Sequence, residues 1–338
     1  MRIAVTGGTG YLGAHTVRAL LAGGHHVRLL VPPAEAGAAV VARLHATGNL
    51  TVITGDVRQS STIEQLLTGV DAVLHAAGVV GTDERHAQLM WDINAHATEA
   101  ILTRAVDLQL DPVVSVSSYS ALFPPPDGVI SADSPTASGR SSYAKTKGYA
   151  DRVARRLQDA GAPIVVTYPS SVVGPAFHTA PGVTERGWAP IVRWRIAPTV
   201  RGGMQMIDVR DVAEVHLRVM QSGRGPRRYV CGGQLATFDE MIDALECGLG
   251  RRIHRVPLSP YLLRGLGRVS DVVGRYVPLG DGLSYEAALL LTAATPTDDS
   301  ATLQDLGMSW RSPGAAIVES FAGDRTDRGG EQLGDPVA

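Results

Sequence analysis

Short apolar runs alternate with longer stretches of helical periodicity along the first 170 residues of the chain. The longer stretches, such as YLGAHTVRALLAGG and STIEQLLTGV, place apolar residues three and four positions apart, which is typical of amphipathic helices. Because the apolar runs are short and rich in β-branched residues, we expect them to be buried strands. They lie at residues 3–6, 26–31, 51–54, 72–76, 112–118 and 163–168. This alternation predicts an α/β fold, in which a doubly wound parallel sheet has helices on both faces.

The pattern changes near residue 170, where Pro and Gly become frequent and helical periodicity then dominates. We therefore expect a first domain over residues 1–169 and a smaller mixed α/β segment over 170–322, some of whose elements return to the first domain. Ligands of parallel sheets bind beyond the carboxyl ends of the strands, so the second segment is expected to cover that edge and to bind the substrate. Residues 323–338 are charged and Gly-rich, and we expect them to form a disordered tail.

The composition argues against several classes of function. Hydrophobic residues make up 44% of the 338 residues, and the net charge of −2 gives no electrostatic reason to expect a nucleic-acid or membrane partner. We expect no membrane span, since no run of 18 apolar residues is found, and no targeting segment, since about five apolar or small residues near the start are too few for a signal sequence. Cys231 and Cys247 form neither a metal-binding spacing nor a disulfide framework. We therefore expect no metal site and a cytoplasmic location.

A glycine-rich sequence, VTGGTGYLGAHTVRALL, connects the first expected strand to the first expected helix. It places Gly7, Gly10 and Gly13 at a G-x-x-G-x-x-G spacing. Glycine permits a tight turn there and a close approach of the backbone to a pyrophosphate. The helix that begins near Tyr11 adds its N–H groups and the positive end of its dipole. Since the pattern follows a strand and begins a helix, it predicts a dinucleotide-binding domain of the Rossmann type.

Small or polar residues also follow the next strands, at the same expected edge of the sheet. Asp56 and Val57 come just after the third strand, where an adenine ring would be contacted. Ala76, Ala77 and Gly78 end the fourth strand and leave room for a cofactor to approach closely.

The end of the second strand bears on the choice of cofactor. Val31 is followed by two prolines, so no carboxylate stands there to bind the ribose 2′-hydroxyl of NAD. This absence favours NADP(H) over NAD(H). A basic residue is also missing from this short stretch, so Arg43 or another arginine would have to contact the 2′-phosphate.

Tyr143 and Lys147 lie four residues apart in a helix that we predict over 142–158, and they therefore share one face. The lysine ammonium is expected to lower the pKa of the phenol from about 10 towards neutrality, which suits a general acid or base. The chain has two lysines among its 31 basic residues, and the other, Lys145, points away from Tyr143. The fifth strand ends in serines, and a hydroxyl there could polarise a substrate carbonyl.

Together these motifs resemble those of the short-chain dehydrogenase/reductase superfamily, in its extended, epimerase/dehydratase-like branch. The resemblance rests on TGGTGYLG, GDV, HAAG, SVSS, YAKTK and YPSSVVGP, and it covers roughly residues 2–320. It implies that Tyr143 is the catalytic acid or base and that Lys147 is its partner and a ribose ligand. It also implies that Ser118, or else Ser117, is the catalytic hydroxyl, and that Asn94 kinks a long helix and supports a proton-relay water. The expected cofactor contacts are Gly7, Thr9, Gly10, Tyr11, Leu12, Gly13, Asp56, Val57, Ala76, Ala77, Gly78, Ser117, Tyr143, Lys147, Pro169, Ser171 and Val172.

Departures from the family patterns reduce the number of candidate reactions. No Asp-Glu pair follows Ser118, which argues against a sugar-nucleotide dehydratase, and Met204 stands where epimerases place a diphosphate-binding arginine. Arg193, Arg195 and Arg201 lie nearby and could substitute. A sugar-nucleotide epimerase is therefore one alternative function, and a non-catalytic NAD(P)-binding sensor or scaffold is another.

The remaining resemblance is to dihydroflavonol-reductase and 3β-hydroxysteroid-dehydrogenase-like members. It implies an NAD(P)-dependent oxidoreductase that transfers a hydride between the nicotinamide and a carbonyl or secondary alcohol of a small, fairly apolar substrate. It also implies a homodimer formed through helices near 83–109 and 142–160. The expected substrate pocket comprises Phe123, Phe177, Trp188 and Met204, with Trp194 and Met206 as further candidates.

Overall fold

The computed structural model describes residues 1–81, 83–273 and 284–328. Its strands are β1 (Arg2–Thr6), β2 (His26–Val31), β3 (Leu50–Thr54), β4 (Ala72–His75), β5 (Val113–Val116), β6 (Ile164–Pro169), β7 (Ser171–Val173), β8 (Ile196–Thr199), β9 (Gly203–Asp208), β10 (Arg227–Cys231), β11 (Gln234–Thr237) and β12 (His254–Pro257). The six strands expected from the sequence are all present, although β5 ends two residues earlier than expected.

The helices that flank these strands are α1 (Tyr11–Ala22), α2 (Ala39–His45), α3 (Ser60–Leu67), α4 (Ala87–Met90), α5 (Thr98–Asp107), α6 (Ser142–Asp159), α7 (Val183–Gly187), α8 (Ala189–Trp194), α9 (Val209–Arg218), α10 (Phe238–Leu249), α11 (Pro260–Val273), α12 (Tyr285–Ala293), α13 (Ser300–Leu306) and α14 (Pro313–Arg328). A π-helical segment, Trp91–Ala97, joins α4 to α5. The long helix expected near 83–109 is therefore one helical run that changes its hydrogen-bond period in the middle. Among the described residues, none of the helices combines the length and the hydrophobicity that a membrane span requires.

Seven parallel strands form the main sheet in the order β10-β6-β5-β4-β1-β2-β3, which confirms the predicted doubly wound α/β fold. The side chains of β1 show how the two faces are covered. Ile3 and Val5 pack in the core formed with α1 and α9, whereas Ala4 packs in the core formed with α3 and α5. Since successive residues of a strand point to opposite faces, a strand covered on both sides is apolar along its buried length, as residues 3–5 of β1 are.

The second segment has its own small sheets and its own core. Strands β11, β9 and β7 form a three-stranded sheet, and β8 pairs in parallel with β12. Trp188, Met206, Met241 and Ile317 are buried in a separate core beside α10 and α14. Strand β10 nevertheless belongs to the main sheet, and α9 packs on α1. Elements that follow residue 170 thus belong to the main sheet and to the helices packed on it.

The C-terminal boundary differs from the expectation. Helix α14 continues to Arg328, so residues 323–328 are helical although a disordered tail was expected from residue 323. The rest of the expected tail lies outside the described residues.

Candidate active site

The glycine turn between β1 and α1 lies directly against the end of β4. Gly7 has a φ of +73°, and a Cβ atom built on it would lie 2.6 Å from the backbone of Ala76 and Ala77. A Cβ atom on Gly13 would lie 1.9 Å from the Gly7 carbonyl oxygen. Since real Cβ contacts do not approach this closely, the turn requires glycine at both positions. The exposed backbone and the start of α1 at Tyr11 fit the pyrophosphate of a dinucleotide.

A carboxylate that the sequence reasoning missed lies beside this turn. Glu35, in a short 3₁₀ turn after β2, accepts a hydrogen bond from the Thr9 hydroxyl. The cofactor expectation considered only residues 31–33, whereas Glu35 follows the end of β2 by four residues. The signal that could have found Glu35 is that it is the first acidic residue after that strand.

Asp56 is held by its neighbour Arg58. The guanidinium donates from Nε to Oδ1 at 2.9 Å and from Nη2 to Oδ2 at 2.5 Å, and these hydrogen bonds hold the pKa of the Asp56 carboxyl below its usual range. Val57 beside it is buried in the core. Asp56 and Arg58 therefore form an ion pair just after the end of β3.

Lys147 lies on α6, buried at the carboxyl edge of the sheet with 8% of its surface exposed. Its Nζ donates to the carbonyl oxygen of Val116, at the end of β5, over 3.1 Å. A Cβ atom on Gly78 would lie 3.7 Å from this Nζ and 3.2 Å from Oδ1 of Asn94. Because Gly78 has no side chain, Asn94 of the π segment and Lys147 of α6 can lie close to the backbone that follows β4. Burial lowers the pKa of Lys147 to about 8.

The pKa of Tyr143 shifts in the direction opposite to the prediction. Burial raises it above its ordinary value, while the hydroxyls of Ser118 and Ser120 act in the lowering direction. The ammonium of Lys147 donates instead to the Val116 carbonyl oxygen. In this arrangement Tyr143 is a phenol that holds its proton, rather than a phenolate made by its lysine neighbour.

The serines after β5 form a small hydroxyl cluster next to Tyr143. Oγ of Ser118 accepts hydrogen bonds from the backbone N–H of Ser120 at 3.2 Å and from its hydroxyl at 3.0 Å. Sequence reasoning did not single out Ser120. Within the described residues, Oγ of Ser117 is buried without a hydrogen-bond partner. An unpaired buried hydroxyl is costly, which fits a position that contacts a ligand.

Asn94 lies in the π segment and ties two parts of the site together. Its Oδ1 accepts from Val79 N at 2.7 Å, and its Nδ2 donates to Val79 O at 2.9 Å and to the Thr146 hydroxyl at 3.4 Å. Thr146 in turn donates to the carbonyl oxygen of Tyr143 at 2.8 Å. The amide thus fixes the chain after β4 against the first turns of α6.

The β6–β7 stretch contributes the remaining expected cofactor contacts. Pro169 ends β6 and is buried, and Ser171 and Val172 are half-buried in β7. The hydroxyl of Ser171 lies 3.4 Å from that of Tyr119. Burial raises the pKa of Tyr119, the Ser171 contact acts in the lowering direction, and Tyr143 acts in the raising direction. Ser171 is therefore connected to the tyrosine site through Tyr119.

The four residues expected to form the substrate pocket are not brought together. Phe123 is buried in the core on the α3 and α5 face of the sheet. Phe177 packs against α1, where the Arg18 guanidinium lies 4.8 Å from its ring centre. Trp188 and Met204 pack in the core of the second segment. Since apolar character alone does not separate core from pocket, the sequence could not make this distinction.

Two carboxylates, here called the α6 brace, hold the N-terminal end of the helix that carries Tyr143. Glu84 accepts from the backbone N–H of Ser142 at 2.8 Å and from its hydroxyl at 2.5 Å. Glu286, in the first turn of α12, accepts from the backbone N–H of Ser141 at 2.6 Å. Both negative charges lie at the positive end of the helix dipole, where they stabilise it. Sequence reasoning found neither, because the contacts span 58 and 145 residues.

Comparisons with known proteins agree with this geometry. The model of the NAD dependent epimerase/dehydratase family matches residues 3–232. The chain belongs to this family. The match includes the glycine turn, the serine cluster, Tyr143 and Lys147, and it confirms the resemblance to the extended branch of the short-chain dehydrogenases/reductases that the motifs indicated.

Individual relatives cover most of the chain. It is 28% identical over 331 residues to sterol demethylase protein B of Methylococcus capsulatus, covering 95% of this chain and 98% of the relative. It is 25% identical to cinnamoyl-CoA reductase 1 of Oryza sativa, covering 72% of this chain and 74% of the relative. Among solved structures, UDP-glucose-4-epimerase from Stenotrophomonas maltophila, with bound NAD, superimposes with a TM-score of 0.75 at 19% identity, covering 97% and 99% of the two chains. That last likeness concerns the fold alone.

Proposed function

We propose that this protein is an NAD(P)-dependent oxidoreductase that transfers a hydride between the nicotinamide and a carbonyl or secondary alcohol of a small, fairly apolar substrate. The observation that carries the proposal is the meeting of Tyr143, Lys147, Asn94 and the serine cluster at one edge of the sheet, next to a turn that requires glycine. The relative named cinnamoyl-CoA reductase 1 supports a reductase in particular.

The roles of the side chains follow from their surroundings. A bound nicotinamide cofactor supplies or accepts the hydride. Tyr143, whose pKa is raised by burial, holds a proton on its phenolic oxygen and can donate it to a substrate oxygen. Ser118 and Ser120 orient that phenol and offer hydroxyls to the same substrate oxygen. Lys147, with a pKa of about 8, carries its positive charge at neutral pH and favours negative charge developing nearby.

The choice between NADP(H) and NAD(H) depends on the surroundings of Thr9. The sequence favoured NADP(H) because residues 31–33 include no carboxylate. Glu35 supplies a carboxylate beside the glycine turn after all, and its charge would repel a 2′-phosphate there. We therefore propose that NAD(H) binds at least as tightly as NADP(H), which titration of the apoprotein with NADH and NADPH tests. Preference for NADPH by about tenfold or more would contradict this proposal.

Replacement of Tyr143 tests the proposed function. We expect Tyr143→Phe to lower kcat by about 100-fold or more, because general acid–base catalysis contributes that much, and to leave cofactor affinity nearly unchanged. The matched control is Tyr149→Phe on the same helix, whose hydroxyl donates to Glu99 rather than to the serine cluster. Turnover is followed by the absorbance of the reduced nicotinamide over a panel of carbonyls and alcohols. A Tyr143→Phe protein that keeps most of its kcat would contradict the assignment.

The same assay separates the alternatives. Interconversion of nucleotide sugars without net change in the nicotinamide would indicate an epimerase. Tight cofactor binding with no turnover of any panel member would indicate a sensor or scaffold.

We also propose a homodimer formed through the helical run from α4 to α5 and through α6. A partly exposed aromatic cluster supports this face, since the ring centres of Trp91 and Tyr149 lie 5.9 Å apart and His96 joins them. Light scattering that gives the mass of one chain would contradict the dimer.

A further inference from the structure

An exposed apolar surface covers part of the second segment, far along the chain from the glycine turn. On α11, the side chains of Leu262, Leu266, Val269 and Val273 are spaced four, three and four residues apart, and all are exposed, Val269 to 60%. This spacing places them on one side of the helix. Their neighbour Leu263 instead packs inward, in a cluster with Val200 and Ala288.

The β8–β12 pair carries further exposed apolar side chains; β12 ends three residues before α11 begins, and Val200, just after β8, packs against Leu263 of α11. Ile196 and Val256 are exposed, and the parallel register pairs Ile196 with His254 and Pro198 with Val256. Paired residues point to the same face of a sheet, so Ile196 and Val256 share one face. Trp194 precedes β8 and is 67% exposed, while Tyr261, in the first turn of α11, is 83% exposed. We call residues 189–201 and 251–273 together the α11 surface.

The charge of the α11 surface differs from that of the whole chain. Its two stretches contain eight arginines and a single acidic residue, Asp271, whereas the chain as a whole has 31 basic and 33 acidic residues. Some of these arginines are engaged within the protein. Arg255 pairs with carboxylates of α10, Arg264 donates to Thr292, and Arg268 lies 4.6 Å from the ring centre of Tyr285. Arg252 lies 3.6 Å from the Glu246 carboxylate, but its side chain is 95% exposed. Arg193, Arg195, Arg201 and Arg251 are also exposed.

We propose that the α11 surface binds the face of an anionic lipid bilayer. A helix with one apolar side, close to exposed arginines and aromatic residues, is the arrangement that lies in a membrane interface without crossing it. The aliphatic side chains of α11 would enter the headgroup region, Trp194 and Tyr261 would lie at its polar boundary, and the exposed arginines would contact lipid phosphates.

The positive charge is what selects this occupant. A second copy of the chain would bring the same arginines against themselves, and the repulsion would oppose association through this surface. The expectation of no membrane partner rested on the net charge of −2, which averages this basic surface with acidic residues elsewhere. The proposal does not depend on the proposed catalytic function.

Vesicle flotation of the full chain tests the apolar part of the proposal. We expect the protein to float with vesicles of phosphatidylcholine containing about 30% phosphatidylserine and to float weakly with phosphatidylcholine alone. Val269→Glu and the milder Val269→Gln should each reduce binding, the glutamate by about tenfold or more. The matched control is Val129→Glu, an exposed valine of the first domain that should leave flotation unchanged. Urea denaturation reports whether each variant is folded.

Replacement of arginines tests the electrostatic part. Arg251→Gln and Arg252→Gln should each weaken binding to the anionic vesicles by about fivefold, which corresponds to about 1 kcal/mol for each charge near an anionic surface. Added salt should weaken the wild-type protein in the same way. Three outcomes would overturn the proposal: no flotation, flotation that ignores phosphatidylserine, and flotation that folded Val269→Gln and Val269→Glu both retain. A dimer that folded Val269→Glu converts to monomer would also overturn it, since the surface would then bind a second copy.

Discussion

The glycine turn and the start of α6 lie at the same edge of the sheet, but they are fixed in different ways. In the turn, backbone lies on backbone, so that a Cβ atom on Gly13 would lie 1.9 Å from the Gly7 carbonyl oxygen. At the start of α6, the carboxylates of Glu84 and Glu286 arrive from distant parts of the chain and accept backbone N–H groups. The first arrangement depends on the lack of a side chain, and the second depends on two charged side chains.

This difference implies that the two regions should respond differently to substitution. Backbone atoms in close contact leave no room for an added atom, so a new side chain must displace the turn. A carboxylate that accepts an N–H group can be replaced by another acceptor at small cost. A single added methyl group should therefore be enough to disrupt the glycine turn. Substitutions in the α6 brace should instead weaken the positioning of α6 to an extent that depends on the acceptor that remains.

The largest effect is expected at Gly13. Gly13→Ala should lower the free energy of unfolding by about 2–3 kcal/mol, because the new methyl group overlaps the Gly7 carbonyl and the overpacked turn must shift. Cofactor binding should weaken with it, since the same turn is displaced. Urea denaturation and NADH titration measure the two effects.

Gly10→Ala is the matched control for Gly13→Ala. A Cβ atom there would lie 3.4 Å from the Gly7 carbonyl oxygen, which is close to ordinary contact, so the free energy of unfolding should change by less than about 1 kcal/mol. Equal losses of stability in the two variants would show that the turn does not depend on the Gly13–Gly7 contact.

A smaller effect is expected at Glu286. Glu286→Ala removes the acceptor of the Ser141 N–H group, so α6 is held less firmly and Tyr143 less precisely, and kcat should fall by about tenfold with little change in cofactor affinity. Glu286→Gln keeps an acceptor oxygen and should recover most of kcat. The control is Glu214→Ala, which removes a surface carboxylate paired with Arg218. If the alanine and glutamine variants have the same kcat, Glu286 does not position α6.

The same contrast explains how far the sequence could predict the site. The glycine turn, Tyr143, Lys147 and the ends of the strands follow from short-range patterns, because a strand, a turn and a helix succeed one another within a few residues. The α6 brace joins residues that are far apart in the chain, and no local pattern marks it. The predicted substrate pocket was not found for another reason. Phe123 and Trp188 lie in the core, and apolar residues of a core and of a pocket look alike in a sequence. The direction of the Tyr143 pKa shift also needed the structure, since it depends on how deeply the phenol is buried.

The smallest effect concerns ionisation, which should matter at α6 and not in the turn. Burial lowers the pKa of Lys147 to about 8, whereas an unfolded lysine titrates near 10.5. Between these values the unfolded chain binds more protons than the folded one, so this group makes the free energy of unfolding rise with pH. The unfavourable burial of its charge is complete below pH 8 and is relieved as pH rises from about 8 to 10.5.

Lys147→Met removes this titration while keeping a long side chain. The free energy of unfolding of the wild-type protein, relative to Lys147→Met, should therefore rise by about 1 kcal/mol between pH 8 and pH 9. Urea denaturation without added cofactor, at both pH values, measures the difference. Gly13→Ala serves as the control because it leaves Lys147 in place, so its stability relative to wild type should not change over this range. If the difference in the free energy of unfolding between the wild type and Lys147→Met is the same at pH 8 and pH 9, Lys147 is not held in a buried, desolvated position. The space beside Gly78 would then be open to water.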